Sequence, residues 1–351
     1  MEKNEKAKIA LDKIISKSRA HWYKPIQIAE ILYHHRVAGT IDLNNLADYR
    51  IISKKWRDEI SLELLGRVCT SSTRFQDNLF EANAMPPETL AVLGEENTRS
   101  GGAVEAYIYR HFKNKLSLIN HITEHLLEIN PSEFKIDTII DYFRKVPGLK
   151  RSLDKVFEII VYSLFITVID ALELTVSIAV NDKKRTMLAE FESFAQHVLS
   201  VDLNNPIAMS GAKVFRVGVT NAADRGLDMY SNWGPAIQIK HLTLDEELAE
   251  SIVDSVSADR IIIVCRSADE KVLLSVFNQV GWKARIQSVI TEEDLYNWYE
   301  KALRGRFSSQ LAKPLIDTII EEMETEFPVV AGFPKSIRSR QYDKINDPFW
   351  R

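Results

Sequence analysis

Cysteine is scarce in this chain of 351 residues: Cys69 and Cys265 are the only two. Almost 200 positions apart, they provide neither a disulfide framework nor a CxxC metal site, and a reducing cytoplasm is the simplest compartment. Glycine (13) and proline (11) are sparse too, about 7% of the chain against a usual share near 12%, which excludes collagen-like and low-complexity chains. Net charge is small, with 49 acidic and 45 basic side chains, so any nucleic-acid surface has to be a local patch. Long uncharged apolar runs are missing. Residues 156–180 are long enough to span a bilayer, but Glu158, Asp170 and Glu173 interrupt them. We read this stretch as one buried helix suited to a domain or subunit interface, with no membrane insertion. The N-terminus Met-Glu-Lys-Asn-Glu-Lys lacks the apolar segment of a signal peptide. No GxxxxGK[ST] argues for ATP-driven work, no GxSxG or Cys-His pattern argues for another hydrolase, and His34, His35, His121 and His125 lack the partners of a zinc set.

Against these absences, 45% hydrophobic and 27% charged residues describe an ordered, helix-rich globular protein of two or three domains. Residues 1–150 read as a helical region, 151–330 as a second domain that includes the long apolar helix within 151–181, and 331–351 as a basic tail. Apolar spacing predicts helices over 7–18 and 26–35, with Pro25 in a first turn. A helix over 42–49, a break at 50–52 and a helix over 53–65 resemble a helix-turn-helix. Ser53 would cap its second helix, and Lys54, Lys55 and Arg57 crowd that helix's first turn, placed for DNA contact. A solvated helix start is the alternative. The polar segment 95–102, with Arg99 before two glycines, is expected to be a loop that reads a guanine edge or a phosphate, or an ordinary surface loop. Further basic clusters are Lys183-Lys184-Arg185, Arg304 with Arg306, and Lys335, Arg338, Arg340, Lys344 and Arg351 in the tail.

After about residue 186 the pattern changes. A helix over 187–199 precedes strands over 213–219, 226–230 and 235–242, the last two joined by Ser231-Asn232-Trp233-Gly234. A capping box from Thr243 to Glu246 starts a helix to about 257; then come a strand over 259–265, a helix over 268–280, a strand over 285–290 and a helix over 292–303. This alternation predicts an α/β core with a mixed sheet flanked by helices, behind a mainly α-helical N-terminal region.

One constellation here carries chemistry. Asp228 lies in the first hairpin strand; Gln238 and Lys240 lie in the second, one residue apart and therefore on one face, with Ile237 and Ile239 on the other. A lysine on an apolar strand needs an anion, and a structural ion pair with Asp228 would satisfy it. The spacing also resembles the PD-(D/E)xK nuclease arrangement in the D…QxK variant of Mrr-like nucleases: Ala223-Asp-Arg-Gly-Leu-Asp228, then Ala236-Ile-Gln-Ile-Lys240, with Phe191-Glu192-Ser193-Phe194 on an upstream helix.

Across nearly its full length the chain resembles the HaeII family of type II restriction endonucleases, through Tyr23-Lys-Pro-Ile-Gln-Ile-Ala-Glu-Ile-Leu-Tyr33, Gly218-Val-Thr-Asn-Ala-Ala-Asp-Arg-Gly-Leu-Asp228 and Ile237-Gln-Ile-Lys-His-Leu-Thr-Leu244. The resemblance implies a PD-(D/E)xK catalytic core and a Mg²⁺-dependent enzyme that cuts both strands of double-stranded DNA at a short palindrome, purine-GCGC-pyrimidine in enzymes of this type. It also implies a homodimer and a companion DNA methyltransferase. Asp228 would be the central metal ligand, joined by the Gln238 amide oxygen and the Ile239 carbonyl, and Lys240 would orient the attacking water or stabilise the phosphorane. Glu192 would restore the negative charge that glutamine lacks; Glu190 and Asp224 are alternatives, and a solvated glutamate needs no role. His241 faces the opposite side of the strand and receives none. Two other functions stay open: an Mrr-like nuclease for modified or damaged DNA, and a DNA-binding regulator on an inactive nuclease fold.

Overall fold

The structure, a computed structural model, describes residues 2–18, 22–217, 227–277, 285–327 and 333–351. These form two compact units, one of residues up to 156 together with 320–351, the other of residues 157–319. No helix among the described residues is long and apolar enough to cross a membrane.

The first unit is helical. Its main helices are Glu2–Lys17, Tyr23–Ala38, Ile52–Leu65, Pro87–Arg99, Ala103–Glu128 and Ile136–Lys145. Their apolar faces meet in one core that includes Leu11, Ile28, Leu32, Leu93, Ile108 and Phe112. Several local expectations change here. Leu46–Tyr49 is a single helical turn, too short for the first helix of a helix-turn-helix. Ser53 does not cap the helix that begins at Ile52; its hydroxyl accepts from Gln27 Nε2 at 2.9 Å. Residues 95–99 complete the helix Pro87–Arg99, so the expected loop shrinks to 100–102. Gly102, at φ 106°, then makes the turn into Ala103–Glu128, with the Arg36 guanidinium packed where a Cβ would sit.

The basic tail belongs to this unit's core: Ile337, Tyr342 and Trp350 are buried there. Arg340 chelates the buried carboxylate of Glu30 at 2.7 and 2.8 Å, and Tyr109 donates to the same group at 2.6 Å. Glu105, equally buried, accepts from Arg36 at 2.9 and 3.0 Å, from Asn97 at 2.6 Å and from Tyr342 at 2.6 Å. Two carboxylates removed from water are thus each matched by an arginine and hydroxyl or amide donors, the condition under which buried charge is tolerated.

The second unit holds all seven strands found among the described residues. The apolar stretch expected as one helix divides: Leu153–Ala171 is helical, Glu173 takes φ 49°, and Thr175–Ala179 is strand β1. The β-branched run Thr175-Val-Ser-Ile178 favours extended backbone over another helical turn. It pairs antiparallel with β2 (Ile207–Gly211), from Thr175↔Gly211 to Ala179↔Ile207. Between them the expected helix 187–199 is broken at Phe191 into Arg185–Glu190 and Glu192–Leu199.

The main sheet has the order β3 (Val214–Arg216), β4 (Met229–Ser231), β5 (Ala236–Leu244), β6 (Ile261–Ala268), β7 (Ile286–Ile290). The first three are antiparallel and the last three parallel, a mixed sheet as the alternation predicts. Helix Glu246–Ser255 crosses from β5 to β6, and Glu270–Phe277 follows β6. The first starts at Asp245, whose carboxylate accepts from Leu248 N at 2.8 Å, so Thr243 stays in the strand, bonded to Ser267. Leu244, Ile252, Val253, Ile261, Ile263 and Cys265 form the core between sheet and helix.

Candidate active site

The hairpin that carries the sequence motif is fixed by its turn. Gly234 adopts φ 120°, Ser231 Oγ donates to Pro235 O at 2.9 Å, and the Asn232 side chain accepts from Lys213 N at 2.9 Å while donating to Gly211 O at 2.8 Å. With that turn set, Met229 lies opposite Ile237 and Tyr230 opposite Ala236, which brings Asp228 level with Gln238. Asp228 sits one residue before β4, and its carbonyl accepts from Val217 N at 2.9 Å.

The Asp228 carboxylate is built in where the β4–β5 pairing ends. Its Oδ2 accepts from Ile239 N at 2.7 Å, the amide that follows the last β4–β5 pair along β5, and from Gln238 Nε2. A carboxylate only accepts, so the Gln238 amide must turn its nitrogen to Asp228, which leaves Oε1 buried without a hydrogen-bond donor among the described residues. Gln238 is only 2% exposed. An amide oxygen stranded beside a carboxylate is a site short of a donor or a cation.

Lys240 follows on the same strand face, half-buried, in register with Cys265 of β6. Burial, and to a lesser degree the Asp294 charge, push the Cys265 thiol up to about 12, so it is inert at neutral pH. No ion pair joins Lys240 to Asp228 among the described residues; the carboxylate is taken by the neighbouring amides, and the structural pairing expected from sequence does not form.

Among the described residues Glu192 shares no hydrogen bond or ion pair with this group. It opens the helix Glu192–Leu199, and its Oε1 accepts from Leu203 N at 3.2 Å, a bond that closes its own loop. Glu190 is exposed at the end of the preceding helix, and Asp224 lies outside the described residues. Among the described residues no three His, Cys, Asp or Glu side chains converge. His241, given no role from sequence, is a buried brace: its Nε2 is 3.2 Å from Glu292 Oε2, its ring packs edge-on to Phe157, and Tyr296 holds the other Glu292 oxygen at 2.6 Å. Only the strand's alternation pointed to its inward face; its partners are about 50 and more residues away in sequence.

The proposed DNA-contact residues separate. Lys55 is 71% exposed and Arg99 72%, each beside a glutamate of its own helix. Lys54 bonds Asp77 at 2.7 Å. Arg57, by contrast, is buried, with its guanidinium on Asp58 at 2.7 Å and Gln27 at 3.1 Å, and it cannot reach DNA from there. Its position one helical turn from Ser53 puts it on the inner face, which a count of basic residues in one turn does not resolve.

The model of the HaeII restriction endonuclease family matches residues 7–342, and the chain belongs to that family. It is a restriction endonuclease, a site-specific DNase. The type II restriction enzyme NgoBI of Neisseria gonorrhoeae is 52% identical over 93% of this chain and 92% of its own length. The type II restriction enzyme HaeII of Haemophilus aegyptius is 49% identical over 97% of each chain. No solved structure matches the chain.

Proposed function

We propose that this restriction endonuclease is a PD-(D/E)xK nuclease of the D…QxK kind that hydrolyses both strands of double-stranded DNA at a short palindrome, purine-GCGC-pyrimidine, with Mg²⁺ bound at Asp228. The observation that carries the reading is the Asp228–Gln238 contact where the β4–β5 pairing ends, with Gln238 Oε1 lacking a donor among the described residues and Lys240 one strand repeat further along. All the available ligands are oxygens, which suits a hard divalent ion: Asp228, Gln238 Oε1 and the Ile239 carbonyl would hold it. When bound, the ion acidifies a water and offsets the charge that develops on the phosphorane. Lys240 would place its ammonium beside that charge or orient the water, and the Ile239 N–H aims the Asp228 carboxylate. Glutamine in place of an acid leaves the site one negative charge poorer, so it binds metal weakly until a DNA phosphate adds an oxygen.

A palindrome suits a two-fold homodimer with one site per strand. Lys55, Arg99 and Lys54 contact phosphate in the helical unit, which serves recognition, while the second unit carries catalysis. The enzyme works in the cytoplasm beside a methyltransferase that protects the same sequence. Digestion of unmethylated DNA with Mg²⁺ by wild type, Asp228→Ala and Lys240→Ala tests this. Discrete fragments ending at one palindrome are expected from the wild type, with cleavage reduced on the order of a thousandfold or more in both variants. Cleavage that survives both substitutions moves the active site elsewhere; cleavage confined to methylated DNA makes the enzyme modification-dependent.

A further inference from the structure

The ladder between β5 and β6 breaks immediately after Lys240. Pairing is regular from Ala236↔Ile261 to Lys240↔Cys265 and resumes at Thr243↔Ser267, so His241 and Leu242 together stand opposite the single residue Arg266. One extra residue in a strand is a β-bulge, rare between parallel strands and a common means of re-aiming a side chain beside an active site. Such an insertion can in principle sit on either side of Lys240. Slid past Lys240 toward the N-terminus, it extends the Thr243↔Ser267 register back along β5, which sets His241 level with Cys265 and Lys240 level with the fully buried Val264. A one-residue slip turns each side chain to the opposite face, so Lys240 would part from Gln238.

Buried polar contacts hold the observed register. His241 lies on the strand face opposite Lys240, and its Nε2 donates to Glu292 Oε2 at 3.2 Å, the sense an ionised carboxylate requires. The imidazole also packs edge-on to Phe157. Glu292 is fixed in turn: it opens the helix Glu292–Arg304, a capping box of Thr291 and Asp294 sets that start, and Tyr296 donates to its Oε1 at 2.6 Å. The helix N-terminus favours the carboxylate's charge. Beyond the bulge, the Thr243 and Ser267 hydroxyls bond at 2.9 Å. In the slid register His241 would turn toward the apolar core around Cys265, and Glu292, buried, would lose its imidazole donor. The His241–Glu292 bond therefore belongs to one register only, the one that keeps Lys240 beside Gln238.

We propose that His241 and Glu292 are positioning residues for DNA cleavage: their bond locks the bulge on the C-terminal side of Lys240 and so sets the direction from which the lysine ammonium meets the DNA phosphate. The lock rests on the reading of Lys240 as an active-site residue. Single-turnover cleavage of unmethylated DNA carrying purine-GCGC-pyrimidine, with Mg²⁺, separates rate from affinity. His241→Leu keeps bulk without a donor. It is expected to cleave on the order of ten- to a hundredfold more slowly at saturating DNA, with half-saturation unchanged within about twofold, the pattern of a misplaced reacting group. His241→Gln, whose amide N–H reaches toward the same carboxylate, should bring the rate back to within about threefold of wild type. In a chain that already carries Lys240→Ala, His241→Leu should cost nothing further, because a residue acting through Lys240 has nothing left to position. An equal loss in both backgrounds overturns the lock, as does a His241→Leu rate equal to wild type while Lys240→Ala is slow. Wild-type cleavage by Lys240→Ala overturns the Lys240 reading itself. If circular dichroism shows that His241→Leu does not fold, Tyr296→Phe, which removes the 2.6 Å bond to Glu292, carries the test. A slowing of about threefold or more that vanishes in the Lys240→Ala background is expected of it, and no slowing overturns the lock.

Discussion

Gln238 is the residue at which the proposed metal site departs from a two-acid centre. Its amide gives Asp228 a hydrogen bond and keeps one oxygen without a donor among the described residues, where a second carboxylate would repel the first. Gln238→Glu is expected to lower the Mg²⁺ concentration for half-maximal cleavage about tenfold, measured by metal titration at fixed DNA, because the pair of carboxylates gains most from a cation. Lys115 sets a different test. It is 7% exposed, donates to Ser18 O at 2.7 Å, and burial pushes its pKa down to about 8. Below pH 8 both folded and unfolded chains hold its proton and the burial cost is complete. Between pH 8 and about 10.5 the folded chain loses the proton while the unfolded chain keeps it, so this group's contribution to stability rises with pH. Lys115→Met should therefore stabilise the protein at neutral pH by up to about 3 kcal/mol. The advantage should shrink across that window; urea unfolding of both proteins from pH 7.5 to 10.5 checks it.

Among elements, the chain's last segment and the β1–β2 excursion differ most from what local pattern suggests. Residues 333–351 carry a basic excess and read as solvated, yet Arg340 is spent on Glu30 inside the helical unit. Arg340→Ala strands a buried carboxylate and is expected to destabilise the protein by about 3–5 kcal/mol in chemical unfolding, with Glu30→Gln in the same chain recovering part of the loss. β1 was hidden in an apolar stretch because its partner β2 lies 27 residues beyond it, with no tight turn to announce a hairpin. The strands of the main sheet were legible, because β-branched runs and the Gly234 turn are local signals. Even there the ends moved: β5 extends to Leu244 since Thr243 finds Ser267 across the ladder.

For the whole molecule, sequence alone determined the helical first half, the mixed α/β second half, the order Asp228, Gln238, Lys240 and the family resemblance that the relatives bear out. Each of these depends on periodicity or spacing within a few turns of chain, where neighbours in sequence are neighbours in space. Tertiary structure decided the fate of individual charges. Arg57 and Arg340 went inward, Lys55 and Arg99 stayed out, and Asp228 took Gln238 and Ile239 N–H instead of Lys240. A charge's role depends on which distant groups surround it and how much water they displace, and composition along the chain holds no record of either. The same reason separates the two apolar faces of the 185–199 helices: periodicity marks both as hydrophobic, and only packing shows that Leu188 and Ala195 have partners while Phe191 and Phe194 face solvent.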